Sequence, residues 1–214
     1  MARSGPFFIS MIVKLSGNSS LCNSYFIGED KKECLLVDPG DNTNNRLDKY
    51  IDKHFSSLKG ILLTHGHYDH ILGLRNLTHK VPLYIGVEDE RCLTDEKYSL
   101  LEGLEISGYD VHQLSDGDEL RINAETIKVI ATPFHTEGSV CFYLSQENVL
   151  ISGDTLFHLS YGRYDLPGGD GRKVKTSLNK LKRLPPKTKI YPGHGENTVL
   201  ETEFRFNPGF VSPF

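Results

Sequence analysis

The sequence predicts an α/β fold of two sheets with helices outside, built as one domain. Two observations carry that reading. Short apolar runs bounded by Gly, Pro, Asn or Asp recur along the chain, and groups of them are twice followed by helix-like spacing. At 214 residues the chain is long enough for one well-buried domain and short for two.

Taken in order, "MIVKL" (11–15), "NSYFIG" (23–28) and "CLLVDPG" (34–40) read as strands, the last closed by the turn "DPGD". Residues 43–55 carry helical spacing, with Thr43 as cap and Leu47, Tyr50 and Ile51 on one face. "GILLT" (60–64) is a buried strand that runs into a histidine cluster, after which a helix starts at "ILGLRNL" (71–77). "VPLYIG" (81–86) is a further strand, and residues 88–98 read as helical. The pattern then changes to consecutive strands at 109–114, 119–123, 125–133, 139–145 and 148–154, joined by turns such as "SDGD" and "SQEN". A Gly-rich loop (156–171) and a helix (172–184) follow, and "TKIYPGHG" (188–195) closes the domain as a last strand and turn. Residues 1–10 read as an N-terminal extension, tag or leader ahead of a domain over 11–214.

Composition narrows the function classes. A formal charge of −4 with no basic or acidic block argues against a nucleic-acid partner. No apolar run approaches the ~18 residues that span a bilayer, so no membrane partner is expected. Cys22, Cys34, Cys92 and Cys141 form no CxxC pair and sit in apolar surroundings. They read as buried free thiols in a reducing, cytoplasmic setting. A monomer or small homo-oligomer is expected.

The chemistry gathers at four strand ends. "THGHYDH" (64–70) follows "GILL", while His135 in "TPFHTEGS", Asp154 in "ISGDT" and His194 in "YPGHG" each lie just past an apolar run beside Gly or Pro. Loops at strand ends are where sites are usually assembled. Neutral imidazole and carboxylate suit zinc, iron or manganese. His65 and His67, two apart, can face one ion; Asp69 and His70 continue on the other side of the turn. Four such groups at one buried strand end are costly without a metal. Seven exceed what one tetrahedral ion accepts, whereas two ions sharing a carboxylate use them all. His54, His79, His112 and His158, each isolated, read as surface or satisfied core residues.

On these residues the chain resembles the metallo-β-lactamase superfamily, and within it the glyoxalase-II-like (hydroxyacylglutathione hydrolase-like) enzymes. "THGHYDH", "GSVCFY", "SGDTLF", "GRYDLPGGD" and "YPGHG" match in order. The resemblance implies a four-layered αββα sandwich. It places His65, His67 and His135 on a first ion and Asp69, His70 and His194 on a second, with Asp154 bridging. It further implies two divalent ions, zinc first with iron or manganese as alternatives. Their bridging hydroxide, oriented by Asp69 as the catalytic residue, would cleave a small-molecule thioester such as S-lactoylglutathione.

Within the "GRYDLPGGD" loop, Arg163 is a candidate to bind a substrate carboxylate, with pairing to Asp165 or Asp170 as the equal alternative. Asp38 reads as ordering its turn rather than binding metal. Phe134 and Glu137 depart from the usual Gly and Pro, a change expected to reshape the site wall while sparing the ligand. Only 20 residues follow His194, too few for the helical substrate domain of glyoxalase II, so a short single-domain form is expected. The rival is a persulfide dioxygenase with one iron, which the same loop also resembles; "GHG" in place of "AHD" favours the hydrolase. Asp154 and the loop argue against a β-lactamase.

Overall fold

The computed structural model describes residues 11–18, 21–104 and 106–211, so the expectation for residues 1–10 lies outside the described residues. The first sheet is ordered β1 (Met11–Ser16), β2 (Asn23–Gly28), β3 (Glu33–Val37), β4 (Ser57–Leu62), β5 (Leu83–Gly86) and β6 (Val111–Leu114). Its first three strands are antiparallel and β3 to β6 run parallel. Between them lie helix α1 (Arg46–His54) and the short helices α2 (Tyr68–Ile71) and α3 (Glu96–Ser99).

The second sheet holds β7 (Glu119–Ile122), β8 (Glu125–Ala131), β9 (Val140–Leu144) and β10 (Val149–Gly153) as an antiparallel run. A small hairpin of β11 (Leu156–Phe157) and β12 (Ser160–Tyr161) and the helix α4 (Val174–Leu181) come next. Then β13 (Lys189–Pro192) returns parallel to β10, and β14 (Thr198–Val199) completes the edge. Two short helices follow, α5 (Leu200–Phe206) and α6 (Pro208–Val211).

Strand alternation sorts the core into three layers. In β2 and β3, Tyr25, Ile27, Leu35 and Val37 face Val129, Phe142 and Ile151 of the other sheet. Their neighbours Phe26, Cys34 and Leu36 pack outward with Leu47 and Ile51 of α1. Leu150 and Cys141 pack outward on the second sheet against Leu178 and Leu181 of α4 and Leu200 of α5. Three apolar layers between two sheets and their outer helices make the expected αββα sandwich.

Several boundaries differ from expectation. The site helix starts at Tyr68, inside the histidine cluster, because His67 is extended (φ −68°, ψ 149°) and the chain turns directly after it. It tightens into a 3-10 turn over Leu72–Arg75, where Gly73 N donates to Pro39 O at 2.8 Å. Residues 88–98 are not one helix: a 3-10 segment, Val87–Leu93, ends before Asp95, whose carboxylate accepts from Lys97 N and starts α3 afresh. The Gly-rich loop contains the β11–β12 hairpin, and "YPGHG" is followed by β14, α5 and α6. No helix among the described residues is long and apolar enough to cross a membrane.

Asp48 of α1 is buried and ties the turn before its own helix to the segment after the site helix. It accepts from Asn42 Nδ2 at 2.7 Å and from Thr78 N at 2.9 Å. Burial alone would raise this carboxyl, but the hydrogen bonds from Thr78 and Asn42 outweigh it and hold it below the usual range. A depressed folded-state pKa stabilises above the unfolded value, and that stabilisation is lost as pH falls through the folded value. Asp48→Asn should therefore cost about 1–3 kcal/mol at neutral pH. In urea unfolding at stepped pH, the gap to the parent should narrow below about pH 4. A gap constant down to strong acid would contradict this.

Candidate metal centre

The structure brings all seven expected ligand residues together at one edge of the sandwich. His65 follows β4, and Asp69 and His70 stand on the first turn of α2. His135 lies four residues past β8, Asp154 directly follows β10, and His194 lies two past β13. Three overlapping groups have their ligand atoms within 4.8 Å of one another: His65, His67 and His135; His65, His70 and Asp154; Asp69, His70 and His194. The first group is buried, while His194 is 37% exposed and opens the second towards solvent.

The hydrogen-bond network fixes which ring nitrogens face inward. His135 Nδ1 donates to Arg163 O at 2.7 Å, which leaves Nε2 as a lone pair. Thr64 Oγ1 donates to Asp38 Oδ2 at 2.6 Å and so accepts from His65 Nδ1 at 3.2 Å, leaving His65 Nε2 bare as well. Those two bare nitrogens lie 3.2 Å apart. His67 Nε2, His70 Nε2 and Asp154 Oδ1 are buried with no hydrogen-bond partner among the described residues. Such groups are costly unless something cationic satisfies them together. The residues present therefore fit divalent metal.

Asp154 stands between the two halves. Its Oδ2 lies 3.5 Å from His135 Nε2, and its Oδ1 lies 3.3 Å from His70 Nε2 and 3.7 Å from His194 Nε2. Asp69 Oδ2 is 3.0 Å from His194 Nε2 and 3.8 Å from His70 Nε2. A Cβ on Gly193 would lie 2.3 Å from Asp154 Oδ1 and 2.7 Å from His70 Cε1, so only glycine lets this strand end approach the cluster.

Electrostatics divide the centre. Burial, then the neighbouring imidazoles, push His65 well below its ordinary value and His67 down to about 3. Both imidazoles are neutral at physiological pH. Burial opposes charge on Asp154 and Asp69 too, but the surrounding histidines outweigh it and hold both carboxyls low. Burial alone would lower His70; instead Asp38, Asp69 and Asp154 raise it. Cys22, pushed up to about 11 by burial, stays a neutral thiol and adds no charge there. The hydrogen bond to Asp69 likewise raises His194 against burial. The half that holds the carboxylates thus favours positive charge.

Asp38 does what its turn suggested. Fully buried and at φ 50°, it accepts from Thr64 N at 2.8 Å, from Thr64 Oγ1 and from His70 Nδ1 at 2.9 Å. One carboxylate thus orients a histidine in each half, His65 through Thr64 and His70 directly. Arg163 is exposed and makes a two-pronged pair with Asp165 at 2.7 and 2.8 Å, while Asp170 pairs with Arg172. Its carbonyl, not its guanidinium, touches a site residue. Phe134 does not line the wall: it is buried in the outer core edge-on to Tyr161, and Glu137 pairs with Arg91. His54, His79 and His112 pair with Asp30, Asp52 and Asp110, and His158 is exposed.

The family model of the metallo-beta-lactamase superfamily matches residues 18–194. A relative from Bacillus subtilis (strain 168), "Probable metallo-hydrolase YqgX", is 36% identical over 199 residues, spanning 90% of this chain and 93% of its own. Among solved structures, BLEG-1 B3 metallo-beta-lactamase has a TM-score of 0.82 at 31% identity, covering 94% of this chain and 100% of its own. TTHA1623 in a di-iron-bound form has a TM-score of 0.73 at 32% identity, covering 92% and 98%.

Sequence reasoning missed the support beneath the β11–β12 hairpin, which borders the centre where Phe157 lies edge-on to His194 at 6.2 Å. Glu203 of α5, fully buried, accepts from Leu159 N at 2.9 Å and Asn207 Nδ2 at 2.8 Å; Asn207 Nδ2 also donates to Ser160 O at 2.7 Å. These bonds hold Leu159 at φ 55°, a conformation unfavourable for a branched side chain. Glu203→Ala should cost about 1–3 kcal/mol in urea unfolding, by unpairing Leu159 N and Asn207. It should also speed limited proteolysis within residues 157–161. Unchanged stability and cleavage would show that the hairpin stands without α5.

Proposed function

The chain belongs to the metallo-beta-lactamase superfamily, and on that premise we propose that it is a metal-dependent hydrolase with a two-ion centre that cleaves a small-molecule thioester, in the manner of glyoxalase-II-like enzymes. The observation that carries this is the carboxylate of Asp154 set between two clusters of imidazoles, its Oδ1 and inward ring nitrogens lacking partners. The B. subtilis relative named a probable metallo-hydrolase supports the hydrolase class. The di-iron form of TTHA1623 supports the ion count and sets iron beside zinc as a metal.

His65, His67 and His135 would hold one ion, Asp69, His70 and His194 the other, and Asp154 both. Ions held there supply a Lewis acid and lower the pKa of water towards neutrality. Asp69, beside the partly exposed His194, would accept a hydrogen bond from the attacking water and fix its direction. The buried half keeps bulk water from His65 and His67, so these imidazoles remain neutral donors. A thiolate leaving group needs little protonation, so no separate general acid is required. Arg163 can exchange its exposed partner Asp165 for a substrate carboxylate, since a solvent-exposed ion pair is weakly held. The four buried free thiols favour a reducing, cytoplasmic setting.

Three assays run side by side test this reading: anaerobic loss of S-lactoylglutathione, oxygen uptake with glutathione persulfide, and hydrolysis of a chromogenic β-lactam. Thioester loss without oxygen is expected. Oxygen uptake alone would replace the hydrolase with a dioxygenase. The likeness to a B3 metallo-beta-lactamase is the reason for the third arm, and β-lactam turnover alone would make that the activity.

Substitutions separate the two ions. Asp154→Ala should lose more than the about 10–100-fold that follows loss of an outer partner, and should loosen both ions. Asp69→Ala should keep the ion on His65, His67 and His135 and lose the other. Two ions and near-parent turnover in Asp154→Ala would refute the bridge.

A further inference from the structure

We propose that Asp89 is a positioning residue that sets the geometry of the ion site formed by His65, His67 and His135; this rests on the two-ion reading above. Asp89 lies in the 3-10 segment after β5 and is 1% exposed. Its Oδ2 accepts from Gly66 N at 3.0 Å and from Thr136 Oγ1 at 2.7 Å, and its Oδ1 accepts from Gly138 N at 2.8 Å. Gly66 separates His65 from His67, and Thr136 follows His135.

A single buried carboxylate therefore joins two ligand loops that come from different sheets. The contact is close: a Cβ on Gly138 would lie 2.4 Å from Asp89 N and 2.7 Å from Asp89 Cβ. All three hydrogen bonds are donated to Asp89, so an amide in its place would turn an NH2 towards an N–H or hydroxyl donor. Asp89 touches no ligand atom; it acts through the backbone that carries them.

Asp38 provides the comparison. It binds Thr64 N on one side of His65, and Asp89 binds Gly66 N on the other. Beyond that shared histidine they diverge, Asp38 to His70 and Asp89 to the loop of His135. Asp38 thus reaches both halves of the centre and Asp89 only one, so loss of Asp89 should be felt by one ion. A residue that serves only general stability would not discriminate between them.

The test measures ion affinity in chains limited to one site. In an Asp69→Ala background, which the two-ion reading leaves with the three-histidine site, zinc competition against a chromogenic chelator gives that site's affinity. In a His67→Ala background the same titration reads the other site. Adding Asp89→Asn should weaken zinc about 10–100-fold in the first background and leave the second nearly unchanged. Thr136→Val, which removes one of the three hydrogen bonds, should weaken the first site in the same direction, and Thr136→Ser should restore it. This pair decides the matter if Asp89→Asn does not fold. Equal weakening at both sites, or a lowered Tm with both affinities intact, would overturn the role given to Asp89. Failure of the Asp69→Ala chain to bind zinc at all would instead overturn the two-ion reading, and this inference with it.

Discussion

Two imidazole nitrogens, His65 Nε2 and His135 Nε2, face each other at 3.2 Å with no proton to share. Each ring has its proton on the far side, given to Thr64 Oγ1 or to Arg163 O. Lone pairs pressed together in a buried place repel unless a cation lies among them. Much of the local structure serves to hold that arrangement. β4 and β8 bring the two rings from separate sheets, and Asp38 and Asp89 hold the backbone on either side of His65. The inter-sheet core of residues such as Phe142 and Ile151 supplies the rigidity against which these few bonds act.

The two halves of the centre differ in what they can do. The three-histidine half is buried, which keeps His65 and His67 neutral and suits them to a cation. The half with Asp69 and His194 is partly open and concentrates negative charge, which favours a second cation. Asp154 couples them, because its two oxygens face opposite halves. His194 is the exposed member of that half and lies edge-on to Phe157 of the hairpin.

Much of this could be read from the sequence, for a physical reason. Ligands placed just past apolar strands are visible because strand alternation and Gly/Pro breaks are local signals, and the residue types are scarce. Two sheets with helices outside follow from the same runs, and the αββα sandwich from the family resemblance. What escaped notice depends on contacts distant in sequence. Asp89 in "VEDERC" resembles a solvated helix face, and nothing local shows that it reaches Gly66 and Gly138. Glu203 belongs to a short helix whose spacing is weak and Asn207 to the break after it; their partners in the hairpin lie over 40 residues away. Arg163 illustrates the limit: its two roles were equally legible, and the structure shows the pair with Asp165. Phe134 was misplaced on the wall because the motif shows where a side chain starts and not which core it enters.

The central claim is that two ions share Asp154. Anomalous diffraction at the absorption edge of whichever metal co-purifies, on protein prepared without added metal, tests it most directly. Two peaks are predicted in the centre, one among His65, His67 and His135 and one among Asp69, His70 and His194, each contacted by an oxygen of Asp154. A single fully occupied peak in an active protein, with the remaining histidines turned away from it, would contradict the account.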